Sequence, residues 1–151
     1  MNVERIFIRL ATAAHQEEHE RIAVIAGMGI VGDRYFGRHD APGQNLTLIE
    51  AEEIEAFVAE LGTPLDLSLT HRNLITRGVR LNALVGREFR IGDVRLRGVE
   101  LCEPCLGLGK FLARPEFDAP GVVRRLLHRA GLRADILCDG EIWRGSGLSL
   151  D

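Results

Sequence analysis

The chain has 151 residues, 46% hydrophobic and 27% charged, with a formal net charge of −3. That size and balance fit one soluble globular domain spanning residues 1–151, too acidic and too poor in aromatics for a broad grip on nucleic acid. Three cysteines are too few for a disulfide scaffold, and the longest apolar run, Ile22 to Gly32, is too short to cross a bilayer. Glu4, Arg5 and Arg9 interrupt any secretory h-region, so a cytoplasmic location with reduced thiols and no membrane contact is expected.

Glu4 to Leu10 alternates apolar and charged residues and predicts a strand. Gly29 to Asn45, rich in glycine and polar residues, predicts a long irregular loop of the kind that often carries function. Ile54, Phe57, Val58 and Leu61 form a helical stripe that Gly62 and Pro64 end. The segment from Arg87 to Leu101 predicts a hairpin turning at Gly92-Asp93. Its apolar phase slips by one after Gly98, which predicts a β-bulge there and delivers Cys102 and Cys105 at the strand end. Further on, Pro120 and Gly131 bracket a helix with Val122, Val123, Leu126 and Leu127 as its buried face. Leu132 to Arg144 predicts a second hairpin with Asp139-Gly140 as its turn. The sum is a mainly β, barrel-like domain with two or three helices.

The Cys-Glu-Pro-Cys turn at 102–105 admits several readings. A structural zinc site needs four ligands, usually two paired motifs, and only one C-x-x-C is present beside scattered histidines. A thioredoxin-like dithiol needs a βαβ context that the pattern does not supply. A single functional thiolate is the third reading. Cys105 stands just before a short helical segment, where unpaired N–H groups favour the ionised sulfur. Cys102 is then a neighbour, and Cys138 a small buried hydrophobe. The residues alone do not separate these readings from ordinary structure.

Gly29 to Gly37, His71 to Leu96 and Leu101 to Leu108 together resemble the MOSC domain, the module also found at the C-terminus of molybdenum-cofactor sulfurases. The shared elements are Gly-Asp-Arg, Arg-Asn-Leu-x-Thr-x-Gly, Leu-x-Gly-x-x-Phe-x-Ile-Gly and Pro-Cys, and the likeness runs from about Val3 to the C-terminus, as in a short stand-alone member. The resemblance implies a β-barrel-like fold and a functional cysteine matching Cys105. That cysteine either ligates the molybdenum of a pterin-based (molybdopterin-type) cofactor or carries sulfur as a persulfide.

By the same resemblance Arg34, Arg72 and Arg77 are expected to clamp phosphate or pterin oxygens, and Asn73 and Thr76 to hydrogen-bond the cofactor. Gly78 is expected to admit close backbone approach, and His39 matches a position where short members often carry histidine. The plainer roles are an Asp33–Arg34 ion pair bracing the loop and a strand-end cap at Asn73. Arg72 and Asn73 are expected to share a cavity with the Cys105 sulfur. His71, one residue out of phase, is expected to point away from it. The implied reaction is reduction of N-hydroxylated compounds, with an electron-donor protein supplying what no flavin or iron–sulfur motif here can. The alternative is a metal-free sulfur carrier serving a partner sulfurtransferase. Lys110 is the only lysine, and the pyridoxal-phosphate half of the sulfurases has no counterpart in these residues, so the chain is not expected to mobilise sulfur from cysteine by itself.

Overall fold

The computed structural model describes residues 1–38 and 40–150, so His39 lies outside the described residues. In chain order the elements are β1 (Asn2–Ile8), β2 (Glu17–His19), β3 (Arg21–Ile25), β4 (Gly29–Ile30), β5 (Leu46–Glu50), α1 (Ala51–Leu61), β6 (Leu74–Arg77), β7 (Glu88–Ile91), β8 (Val94–Leu101), α2 (Leu106–Leu112), α3 (Ala119–Leu126), β9 (Leu132–Ile136), β10 (Gly140–Trp143) and β11 (Leu148–Leu150). The fold is mainly β, as the strand-rich pattern predicts.

The larger sheet runs β11-β7-β8-β9-β5-β6-β1-β2, and β10-β3-β4 form a smaller one. Every pairing in the larger sheet is antiparallel except β5 with β6, which needs a crossover, and α1 supplies it. The sheet curls back on itself: Val3 N–H donates to the Ser146 carbonyl at 2.9 Å, beside β11 at the far end of the strand order. Inside the curl, Ile6, Leu48, Leu74, Phe89, Ile91, Leu96 and Leu132 are fully buried. Alternation at period two along β8, with Val94 and Leu96 in and Arg95 and Arg97 out, puts this face inward.

The predicted bulge is present, since the β8–β9 register shifts between Gly98 and Glu100. A Cβ on Gly98 would stand 2.1 Å from the Leu84 carbonyl oxygen, so backbone crosses backbone there and no side-chain rotation can relieve the clash. We expect Gly98→Ala to cost about 3 kcal/mol. That should lower Tm by about 6–12 °C for a domain of this size. A thermal melt unchanged by the substitution would contradict the close approach.

α1 packs on β5 and β6, and α2 and α3 pack on each other and on α1 through Phe57, Leu108, Leu112, Val122 and Leu126. Gly109 permits this, because a Cβ there would lie 2.7 Å from the Ala119 carbonyl oxygen. A residue that weakens α2 as an isolated helix is therefore the one that lets it dock.

Two sequence expectations fail. Leu132 to Arg144 is no hairpin: β9 pairs with β8 and β5, whereas β10 pairs with β3 in the other sheet. Asp139 accepts the Ala26 N–H at 2.8 Å, so the Asp-Gly pair steers the chain between sheets instead of turning it back. The helix expected to run to Gly131 ends at Leu126, leaving Leu127 exposed and Val123 half-buried. Glu103 captures the His128 N–H at 2.9 Å, and Gly131 is needed for a close crossing over the Leu48 carbonyl, not as a helix cap.

Candidate functional site

The end of β1, the 29–45 loop, the start of β5, the residues before β6 and the turn after β8 meet around one cavity of about 310 Å³. Arg9, Asp33, Arg34, Tyr35, Arg38, Thr47, His71, Arg72, Asn73, Cys102, Cys105 and Arg133 are among the residues lining it. The register of the curled sheet explains the meeting. Thr47 lies on β5 one residue before Leu48, and Leu48 pairs with both Leu74 of β6 and Leu132 of β9.

Cys105 is exposed and stands at the N-cap of α2, with Sγ accepting the Leu108 N–H at 3.4 Å. Cys102 is only 2% exposed, and its N–H donates to the Gly131 carbonyl at 2.8 Å. Cys138 is half-buried, and its Sγ accepts the Arg95 N–H at 3.2 Å. We therefore expect iodoacetamide to modify Cys105 first, Cys138 more slowly and Cys102 last. Peptide mass mapping over time measures the order, and Cys102 reacting first would refute it.

Arg72 is buried, and its guanidinium is spent on main-chain carbonyls. Nε donates to Ala130 O at 2.7 Å, Nη2 to Cys102 O at 3.0 Å, and Nη1 reaches Thr70 O and His71 O at 3.4 and 3.5 Å. Burial pulls its pKa below the ordinary arginine value, with the Cys102 and Cys105 sulfurs opposing that shift. Arg72 thus lines the cavity but braces the cysteine turn with the donors that a phosphate clamp would need.

Asn73 is committed in the same way. Its Nδ2 donates to Phe7 O at 3.1 Å, and its Oδ1 accepts the Thr47 N–H at 3.0 Å and the Thr47 hydroxyl at 3.2 Å. One side chain stitches β1 to β5 across the cavity wall.

Thr76, Arg77 and Gly78 are not among the cavity-lining residues. The strand carries Thr76 about 10 Å beyond Asn73. There its hydroxyl donates to Ile49 O at 3.4 Å, while Arg77 is held by Glu4 and Glu55. The Gly78 N–H donates to Glu52 at 2.7 Å.

His71 corrects the sequence expectation in the other direction. It precedes β6 and takes a left-handed backbone (φ 58°, ψ 28°), so strand phase does not apply and its ring lines the cavity. Asp33 does not pair with Arg34. Its oxygens accept the backbone N–H groups of Arg9 and Tyr35 at 2.9 and 3.1 Å, bracing the loop. Arg34 instead lies over the Tyr35 ring at 4.5 Å from its centroid, as Arg38 does at 5.2 Å.

Arg9, Arg38 and Arg133 were not singled out from the sequence. In a chain whose basic residues are arginine at every position but Lys110, residue type carries no signal. The placement of Arg38 in the glycine-rich loop, one helical-turn spacing after Arg34, was the available clue. Arg133 has Glu100 at 3.7 Å, but among the described residues no carboxylate pairs with Arg9, Arg34 or Arg38. The cavity mouth is therefore cationic in a chain that is acidic overall.

No helix among the described residues is long and apolar enough to cross a membrane. Nor does any group of three His, Cys, Asp or Glu side chains among them stand where it could hold a metal ion.

The fold is shared with solved bacterial proteins. The YUAD protein from Bacillus subtilis superposes with a TM-score of 0.83 at 18% identity, over 99% of this chain and 96% of that one. YiiM from Geobacillus stearothermophilus gives 0.76 at 15% identity over 99% and 74% of the two chains. YiiM from Escherichia coli gives 0.69 at 16% identity over 100% and 70%. No curated protein sequence matches this chain significantly. The profile of the MOSC domain family matches residues 36–149, and with most of its length so covered the chain belongs to the MOSC domain family.

Proposed function

We propose that this cavity receives a phosphorylated, pterin-based molybdenum cofactor and that the Cys105 sulfur is the protein's ligand to its metal. One observation carries the reading: an exposed thiol opens onto a cavity whose arginines 9, 34 and 38 have no carboxylate partners among the described residues.

The donor set fits the group. A thiolate is a soft ligand suited to a metal that already carries sulfur donors. Because no three-ligand cluster exists among the described residues, a metal held here needs donors of its own, which a pterin dithiolene supplies. The planar forks of Arg34 and Arg38 match phosphate oxygens, and the cavity volume falls at the small end of the roughly 300–1,000 Å³ usual for cofactor sites. Arg72 and Asn73 support the site by fixing the walls that hold the cysteine turn.

When bound, such a cofactor supplies two-electron redox chemistry at its metal. The reaction we assign is reduction of an N-hydroxylated compound, in which two electrons and two protons convert N–OH to N–H and water. The electrons come from a separate donor protein. Metal and phosphorus analysis of the protein from a molybdenum-competent host tests the binding. Near-equal molybdenum and phosphorus per chain support it. Labile sulfur without metal would favour the sulfur-carrier alternative.

A further inference from the structure

Of the carboxyl, thiol and imidazole groups around the cavity, Cys105 as the proposed metal ligand aside, one is open to the cavity and makes no hydrogen bond among the described residues. The Asp33 carboxylate is committed to two backbone N–H groups, and Glu103 to the N–H of His128 and its Nδ1, at 2.9 and 3.0 Å. The Cys102 thiol is buried. His71 remains, and among the described residues neither of its ring nitrogens has a hydrogen-bond partner.

Its placement is held from two sides. The left-handed backbone at φ 58° is uncommon for a residue with a side chain and costs about 1 kcal/mol or more, so the surrounding structure must fix it. The ring then packs edge-on against Phe111 of α2, with centroids 4.6 Å apart. A polar ring aimed into a cavity, with its nitrogens free, faces whatever fills that cavity.

The charged groups bearing on the ring are Arg9 from the end of β1, Arg34 from the 29–45 loop and Arg72 beside it, together with His15. Phe111 of α2 adds an uncharged face. Burial first, and then those cations, hold the imidazole below its ordinary value of about 6.5, so it is neutral near pH 7. An anion entering among the arginines reverses the field at the ring and favours the imidazolium.

We propose that His71 is the proton-exchanging contact of this cavity, taking up a proton as an anionic ligand enters and donating it to the molecule bound beside Cys105. The proton comes from solvent, resides on a ring nitrogen and leaves for the bound molecule, regenerating the neutral ring. The proposal deepens the cofactor-site reading but needs only that the cavity accept an anion. It can therefore fail or stand independently of molybdenum.

Sulfate is a suitable probe because it does not itself titrate between pH 4 and pH 9. In the metal-free protein, the His71 ring signal is identified by its absence from the spectrum of His71→Asn, a residue that tolerates the left-handed backbone. Its NMR titration midpoint should lie below about 6.5 and rise by about one pH unit with saturating sulfate. By linkage, sulfate affinity should increase about tenfold as pH falls through that window, and this pH dependence should vanish in His71→Asn while sulfate still binds. A wild-type midpoint indifferent to sulfate would overturn the proposal, even if the variant failed to fold. So would a variant that kept the full pH dependence.

Discussion

Cys105→Ser is expected to abolish loading, measured as molybdenum or as cyanide-labile sulfur per chain, while Cys102→Ser retains most of it. A serine hydroxyl is hard and stays protonated near neutrality, so it can neither ligate molybdenum as a thiolate does nor hold a persulfide. The exchange removes little packing at an exposed position, so Tm should move by only a few degrees. Cys102 packs into the floor of the same cavity and presents almost no surface. Equal loss in the two variants would mean that both sulfurs act as one unit, either a dithiol or a shared metal site.

Arg72→Met should be among the most destabilising changes at the cavity, although Arg72 has no ion pair among the described residues. Methionine fills similar length, but it strands the carbonyls of Ala130 and Cys102, which the guanidinium reaches at 2.7 and 3.0 Å. Leaving buried acceptors unpaired costs about 1–3 kcal/mol each, and relief from burying a cation offsets part of it. A net loss of about 3 kcal/mol, or about 6–12 °C in Tm, is expected. Arg34→Met is the control, because its fork stacks on Tyr35 and holds no backbone group among the described residues. Its Tm should stay within a few degrees while anion binding in the cavity weakens. Equal melts for the two variants would show that Arg72 does not brace the cysteine turn.

The fold was readable in the sequence where signals were local. The phase slip at Gly98 located the bulge, and the stripe from Ile54 to Leu61 located α1. The Asp139-Gly140 turn was misread because a short-range turn signal cannot say which sheet receives the next strand. That depended on a contact with Ala26, more than a hundred residues away.

The site was legible by motif but not by role. Arg72 and Asn73 do line the cavity with Cys105, yet both are tied up in holding backbone, which residue type cannot reveal. The family-like Arg-Asn-Leu-x-Thr-x-Gly motif carried Thr76, Arg77 and Gly78 into the expected set, and regular strand phase put His71 out of it. The left-handed turn at His71 breaks that phase. Arg9 and Arg38 become recognisable only once the chain closes and shows no carboxylate paired with them among the described residues.

Protection of the Cys105 thiol tests the central claim most directly. Protein purified from molybdenum-replete and molybdenum-deficient cultures would be treated with iodoacetamide and its cysteine peptides mapped by mass. Cys105 should be blocked in proportion to bound molybdenum and become reactive once the cofactor is extracted. Cys105 alkylating at the same rate in both preparations, with molybdenum bound in one, would contradict the account.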